Sequence, residues 1–105
     1  MKRNDEVGNP TEAKIAEWKE KYPTGVFAYT TDDGKRAYLH APSRKTLSAA
    51  ATIGKSDPLK YNEILLANCW LYGDEDIKTD DRYFLGISAK LAELVQIKEG
   101  ELEKL

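Results

Sequence analysis

The sequence predicts an α+β fold: an N-terminal helix and a β-hairpin followed by a three-helix domain. Three observations predict it. Two runs rich in β-branched and aromatic residues, Val26 to Thr31 and Lys35 to Ala41, flank Asp32-Asp33-Gly34, which is the pattern of a hairpin. Four helix-start signals, each a capping side chain beside a proline or an acidic residue, precede segments with apolar residues three or four positions apart. The chain has 105 residues, 41% hydrophobic and 32% charged, which suits one core and is too apolar for disorder and too polar for a membrane protein. The expected organisation is a flexible tail over residues 1–8 and a single domain over 9–105. That domain divides into a helix plus hairpin (9–42) and a helical part (43–105).

Asn9-Pro10-Thr11-Glu12 opens the first helix, with Asn9 as cap and Pro10 at the first helical position. Ile15, Trp18 and Tyr22 form its apolar stripe, and Pro23 with Gly25 stops it. In the hairpin, a two-residue turn pairs Tyr29 with Tyr38, while a three-residue loop with Gly34 as a bulge is the alternative. The two-residue register puts Phe27, Tyr29, Tyr38 and His40 on one face and Val26, Ala28, Ala37 and Leu39 on the other. A lone hairpin is marginal in water, so one face packs on the helices and the other is open to a partner.

Pro42 ends the second strand, and Ser43 caps a short second helix that Gly54 closes at its C-terminal end. Asp57-Pro58 opens a third helix running to about Tyr72, before Gly73, with apolar residues almost all round its last turns. An acidic connection, Gly73 to Lys78, leads to Thr79-Asp80-Asp81 and a long fourth helix. Its stripe, Phe84, Ile87, Leu91, Leu94 and Val95, continues as Leu102 and Leu105 beyond Gly100. The expected core is Trp18, Leu39, Leu47, Ile64, Leu65, Trp70, Phe84, Leu91 and Leu94.

Composition narrows the function. The longest apolar run, Ile64 to Tyr72, is broken by Asn68 and falls well short of the roughly 20 residues of a bilayer span. The opening Met1-Lys2-Arg3-Asn4-Asp5-Glu6 lacks the apolar stretch of a secretory signal, and Cys69 is the only cysteine, so a reducing, cytoplasmic setting is expected. Residues 1–56 carry 10 basic and 7 acidic side chains, and residues 57–105 carry 6 basic and 11 acidic. That split favours a protein partner over nucleic acid.

No pattern completes a catalytic or metal site. Asp74, Asp76 and Asp80 begin like a calcium loop, but Lys78, Thr79 and Leu85 stand where a ligand, the turn glycine and the bidentate glutamate belong. His40 is the only histidine, with no nucleophile predicted beside it. Cys69 falls in a buried helix. Thr52-Ile53-Gly54-Lys55-Ser56 ends like a phosphate loop but lacks the first glycine. The expectation is a protein without enzymatic activity, metal or cofactor. It binds a partner through the open hairpin face, with Phe27, Tyr29, Tyr38 and His40, flanked by Arg36 and Arg44. The competing expectation is single-stranded nucleic acid, bound by Lys35, Arg36, Arg44 and Lys45 beside the aromatics, or a regulatory role in a mobile element.

The run Ala37-Tyr38-Leu39-His40-Ala41-Pro42-Ser43-Arg44-Lys45, then Asp57-Pro58-Leu59-Lys60-Tyr61, then Leu65-Leu66-Ala67-Asn68-Cys69-Trp70-Leu71 resembles the tail assembly chaperones of long-tailed bacteriophages and prophages. The shared pattern is a short hairpin ending in proline, then a helical domain with a carboxylate-capped helix, over about residues 12–105. The resemblance implies a small protein of the bacterial host cytoplasm that binds the tape-measure protein, and the tail-tube protein, before tail assembly. Self-association into a homo-oligomer is a separate expectation. A helical face with an acidic half suits reversible cover of an apolar client.

Overall fold

The computed structural model describes residues 9–105, so the tail expected over 1–8 lies outside the described residues. The chain is α+β, and its order of helix, hairpin and then helices matches the sequence reading. Helix α1 (Glu12–Lys21) precedes the antiparallel strands β1 (Val26–Thr30) and β2 (Arg36–His40). Helices α2 (Arg44–Ile53) and α3 (Pro58–Cys69) follow, then strand β3 (Trp70–Gly73), a single-turn helix α4 (Asp76–Thr79), α5 (Asp81–Ser88) and a 3-10 helix (Leu91–Leu94). The sheet runs β1-β2-β3, with the hairpin's second strand in the middle.

Strand β3 corrects the expectation that the third helix continues to Tyr72. Helix α3 stops at Cys69, and Trp70 turns to extended geometry (φ -69°, ψ 128°). Leu39 then pairs with Trp70, Tyr38 with Tyr72 and Ala37 with Gly73, across a bulge at Tyr38/Leu39. The apolar residues around the last predicted turns form a half-buried strand with Tyr72 exposed, in which successive side chains point to opposite faces. Gly73 permits the approach: a Cβ there would lie 2.6 Å from the Ala37 Cα and 2.7 Å from the Arg36 carbonyl oxygen.

The hairpin takes the three-residue loop. Tyr29 pairs with Ala37 and Ala28 with Tyr38, so the Tyr29–Tyr38 register is not the one adopted. Gly34 at φ +96° accepts the left-handed bulge position. The Thr31 side chain braces the loop by accepting from the Lys35 N–H at 2.9 Å. A one-residue change of register exchanges the faces of one strand relative to the other. Phe27 and Tyr29 therefore share a face with Ala37 and Leu39, whereas Tyr38 and His40 share theirs with Val26 and Ala28.

Each face has its own cover. On one, Ala37 and Leu39 join Ala50, Leu65, Leu66, Cys69, Ile77, Ile87, Leu91 and Leu94 in a single buried cluster, with Phe27, Tyr29, Leu47, Ile64, Trp70 and Phe84 packed against it. On the other, α1 lays Trp18 against Tyr38 and Tyr72, with ring centroids 5.8 and 6.4 Å away. Trp18 is buried, but in this second, aromatic layer.

Local capping follows the sequence at three of four helices. Ser43, Asp57 and Asp80 accept backbone N–H groups of the first turns of α2, α3 and α5. At α1 the cap is Thr11, which accepts from the Lys14 N–H at 3.1 Å, in place of Asn9. The acidic connection contains α4, whose lone apolar residue, Ile77, is fully buried; that burial contributes about 1.5–3 kcal/mol. The long fourth helix is likewise corrected: α5 ends at Ser88, a 3-10 turn follows, and residues 95–105 take no regular structure.

Candidate protein-binding groove

The groove is built by the outer edge of β1 and by the C-terminal helices. Thr31 N–H donates to the Lys35 carbonyl, and Ala41 N–H donates to the Gly25 carbonyl. Because ladder bonds alternate, the odd-numbered residues of β1 address β2, and Val26, Ala28 and Thr30 direct their N–H and C=O groups away from the sheet. Among the described residues nothing pairs with this edge, and an unpaired strand edge is a template for another chain.

Beside that edge lies a mainly apolar cavity of about 260 Å³ whose walls include Phe27, Tyr29, Leu39, Ile87, Leu91 and Leu94, with Lys90 and Glu93 also in its lining. It adjoins a second, more polar depression of about 470 Å³, which shares Tyr29, Thr30 and Lys90 with it and is bounded by Asp33, Arg82 and Tyr83. Burial, and then the Asp32 charge, raise the Tyr29 hydroxyl pKa above its usual value, which moves it further from a physiological range in which a tyrosine is already neutral.

Charged groups fasten the polar end. Tyr83 and Thr31 both donate to the Asp33 carboxylate, and those bonds, Thr31's the larger, hold its pKa below the ordinary carboxylate range. Lys35 reaches Asp76 at 3.1 Å and Asp74 at 3.4 Å, tying the hairpin loop to α4. Its ammonium also stands 5.5 Å from the Tyr83 ring centre. Arg82 is held by Asp80 at 3.1 Å.

The six residues expected on one contact surface are divided. Phe27 and Tyr29 line the groove. Tyr38 is buried under Trp18, and the His40 ring is stacked on Tyr22 with centroids 3.8 Å apart. The His40 Nδ1 lies 2.9 Å from the Ala41 carbonyl oxygen, which can only accept, so this nitrogen carries the proton. Arg36 sits over the Tyr38 ring at 5.3 Å. Arg44 is exposed at the start of α2, away from the groove. The register that sets Tyr38 opposite Ala28 is the physical reason that no open face of four hairpin aromatics forms.

The chemistry-bearing candidates have structural surroundings. Cys69 is buried, and desolvation pushes its thiol up to about 11. Asp74 accepts from the Asp76 N–H and pairs with Lys35. Among the described residues, no three His, Cys, Asp or Glu side chains converge as a metal site. Sequence reasoning missed Tyr83 and Lys90 as groove residues. The available signal was the spacing of Tyr83, Ile87 and Leu91, which continues the apolar stripe to an aromatic at its edge. No helix among the described residues is long and apolar enough to cross a membrane. Comparison with protein-family models, curated proteins and solved structures finds no match to this chain.

Proposed function

We propose that the protein is a non-enzymatic binding module that covers an apolar stretch of another protein, in the manner of the tail assembly chaperones its sequence resembles. Its client is then the tape-measure or tail-tube protein, bound in the bacterial cytoplasm before assembly. One observation carries the reading: the edge of β1, unpaired among the described residues, lies directly against a mainly apolar groove walled by Phe27, Tyr29, Leu91 and Leu94. Such a juxtaposition suits strand addition, in which main-chain bonds give affinity and alternate side chains enter the groove.

The basic residues favour this reading over nucleic acid. Lys35 is neutralised by Asp74 and Asp76, and Arg36 lies on Tyr38, which leaves Arg44 and Lys45 of the expected cluster exposed. Two cations are few for backbone-driven binding. The test uses purified protein with tape-measure and tail-tube proteins as the candidate clients. Calorimetry should find a complex little affected by salt, weakened about tenfold or more by Tyr29→Ala, as expected for a central aromatic anchor, and unchanged by Arg44→Ala. Failure to bind either protein, with capture of single-stranded oligonucleotide that salt abolishes, overturns the proposal.

A further inference from the structure

Helix α1 stands apart from the rest of the molecule in how it is held. None of its residues belongs to the buried cluster that contains Ala37, Leu39, Ala50, Leu65 and Leu66, and Trp18 is its one buried side chain. Ile15 and Tyr22, three residues before and four after Trp18, are half-buried on the same face, and the other residues of the helix are exposed. Charge adds nothing across the joint. Among the described residues the ion pair of α1, Lys14 with Glu17 at 3.3 Å, is internal to the helix.

Beneath α1 lies the face of the sheet opposite to the groove. Trp18 meets Tyr38 and Tyr72 with ring centroids 5.8 and 6.4 Å away, those two rings stand 6.4 Å from each other, and Tyr22 stacks on His40 at 3.8 Å. This floor is held without α1. Tyr38 and Tyr72 are partners in the β2–β3 ladder, the hairpin pairs from Val26 with His40 to Thr30 with Arg36, and the Ala41 N–H closes its base on the Gly25 carbonyl at 3.0 Å. Helix and sheet are joined by Pro23-Thr24-Gly25, with Gly25 at φ +146°, a conformation that glycine reaches without strain.

We propose that α1 is a lid: it opens as one unit by local unfolding, while the sheet and the helical core stay folded, and so uncovers the aromatic face of Tyr38, Tyr72 and His40. A ten-residue helix is marginal in water by itself, so α1 keeps its helix only while Trp18 and Tyr22 are seated, and undocking and unwinding become one event. The rest has no such dependence, because its cluster is complete without α1. Segments with few buried contacts open below the free energy of global unfolding. The face that α1 covers joins aromatic rings to the Arg36 guanidinium, 5.3 Å from the Tyr38 ring, a composition favoured in interface cores, and the closed lid withholds it from solvent. The lid is independent of the groove, which lies on the other side of the sheet.

Native-state hydrogen exchange of the full chain at low urea concentrations, read amide by amide by NMR, tests this. The amides of residues 15–22, which carry the helical bonds from Ile15 to Tyr22, should exchange through a single shared opening. That opening should be at least about tenfold more frequent than the one that exposes Leu39, Leu65 and Leu66, a gap of about 1.4 kcal/mol. It should quicken with urea, because it uncovers Trp18, Tyr38 and Tyr72. Trp18→Ala should speed exchange in α1 by a further factor of about ten or more and leave the protection of Leu65 and Leu66 as it was. Exchange of α1 only through global unfolding overturns the lid, and so does protection that fades toward the helix ends without responding to urea, which is fraying. Loss of Leu65 and Leu66 protection in Trp18→Ala also overturns it, since the core would then depend on α1.

Discussion

Replacing Gly54 with alanine should destabilise the protein, by a mechanism that the backbone angles of this residue exclude from ordinary glycine arguments. Gly54 ends α2 at φ -93° and ψ 23°, in a region open to any residue, so alanine meets no dihedral strain there. The difficulty is space. A Cβ at Gly54 would lie 2.6 Å from the Tyr61 backbone nitrogen and 2.7 Å from its Cα and Cβ, against about 3.5–4.0 Å for unstrained carbon contacts. These are atoms of α3, not the far end of a flexible side chain, so the two helices must separate by about 1 Å. Overpacking of this kind costs about 1–3 kcal/mol, and the reduced freedom of the unfolded chain returns about 0.4–1 kcal/mol. A net loss of about 1–2 kcal/mol lowers the melting temperature by roughly 5–15 °C for a domain of this size. Thermal and urea denaturation followed by circular dichroism measure it, with Gly100→Ala as the control, since nothing lies within 4 Å of a Cβ there. If Gly54→Ala melts at or above the wild-type temperature, the close approach of α2 to α3 is not what requires glycine.

The further predictions concern two titrating groups. Cys69, held up at about 11 by burial, should resist thiol reagents at pH 8 until denaturant opens the core; rapid labelling of the native protein would contradict its burial. Between its ordinary value of 9.0 and about 11 the unfolded thiol ionises while the folded one keeps its proton, so stability falls as pH rises through that window. Cys69→Ala should remove this contribution, seen as a shallower loss in urea melts across the same range. At Asp33, whose pKa is depressed first by Thr31 and then by Tyr83, Tyr83→Phe should raise the carboxyl pKa part of the way to normal, as read by carbon NMR titration. A depressed carboxylate contributes stability above its unfolded pKa and loses it as pH falls through the folded one. The variant should therefore lose that contribution at a higher pH than the wild type does, and superimposable titrations would show that the Tyr83 bond does not act on Asp33.

Much of the fold was legible because its signals are local. Ser43, Asp57 and Asp80 cap the helices that their sequence neighbourhoods announce, and the hairpin lies where two β-rich runs meet Asp-Asp-Gly. Strand β3 was hidden because Trp70, Leu71 and Tyr72 continue the composition of α3 without a glycine or proline between them. What makes them a strand is pairing with β2, which lies more than thirty residues earlier. The long helix expected from Thr79-Asp80-Asp81 onward stops at Ser88 for a related reason. Its apolar period is helical, but the core is already met by Ile87, Leu91 and Leu94, and an α-helix gains little stability beyond the point where its stripe finds something to pack on.

The candidate site was legible in its residues and not in its geometry, and the cause is one residue of hairpin register. Phe27 and Tyr29 can be singled out from composition alone, yet their neighbours depend on whether two or three residues turn the chain at Asp32-Asp33-Gly34. The Thr31 hydroxyl, accepting from Lys35 N–H and donating to Asp33, favours the longer loop, and Asp33 is held in turn by Tyr83 from α5. The residue that sets the register is thus anchored by the helix that forms the opposite wall of the groove. Loop, register and groove are one coupled arrangement: the contact that sends Tyr38 and His40 beneath α1 also turns Phe27 and Tyr29 toward Leu91 and Leu94.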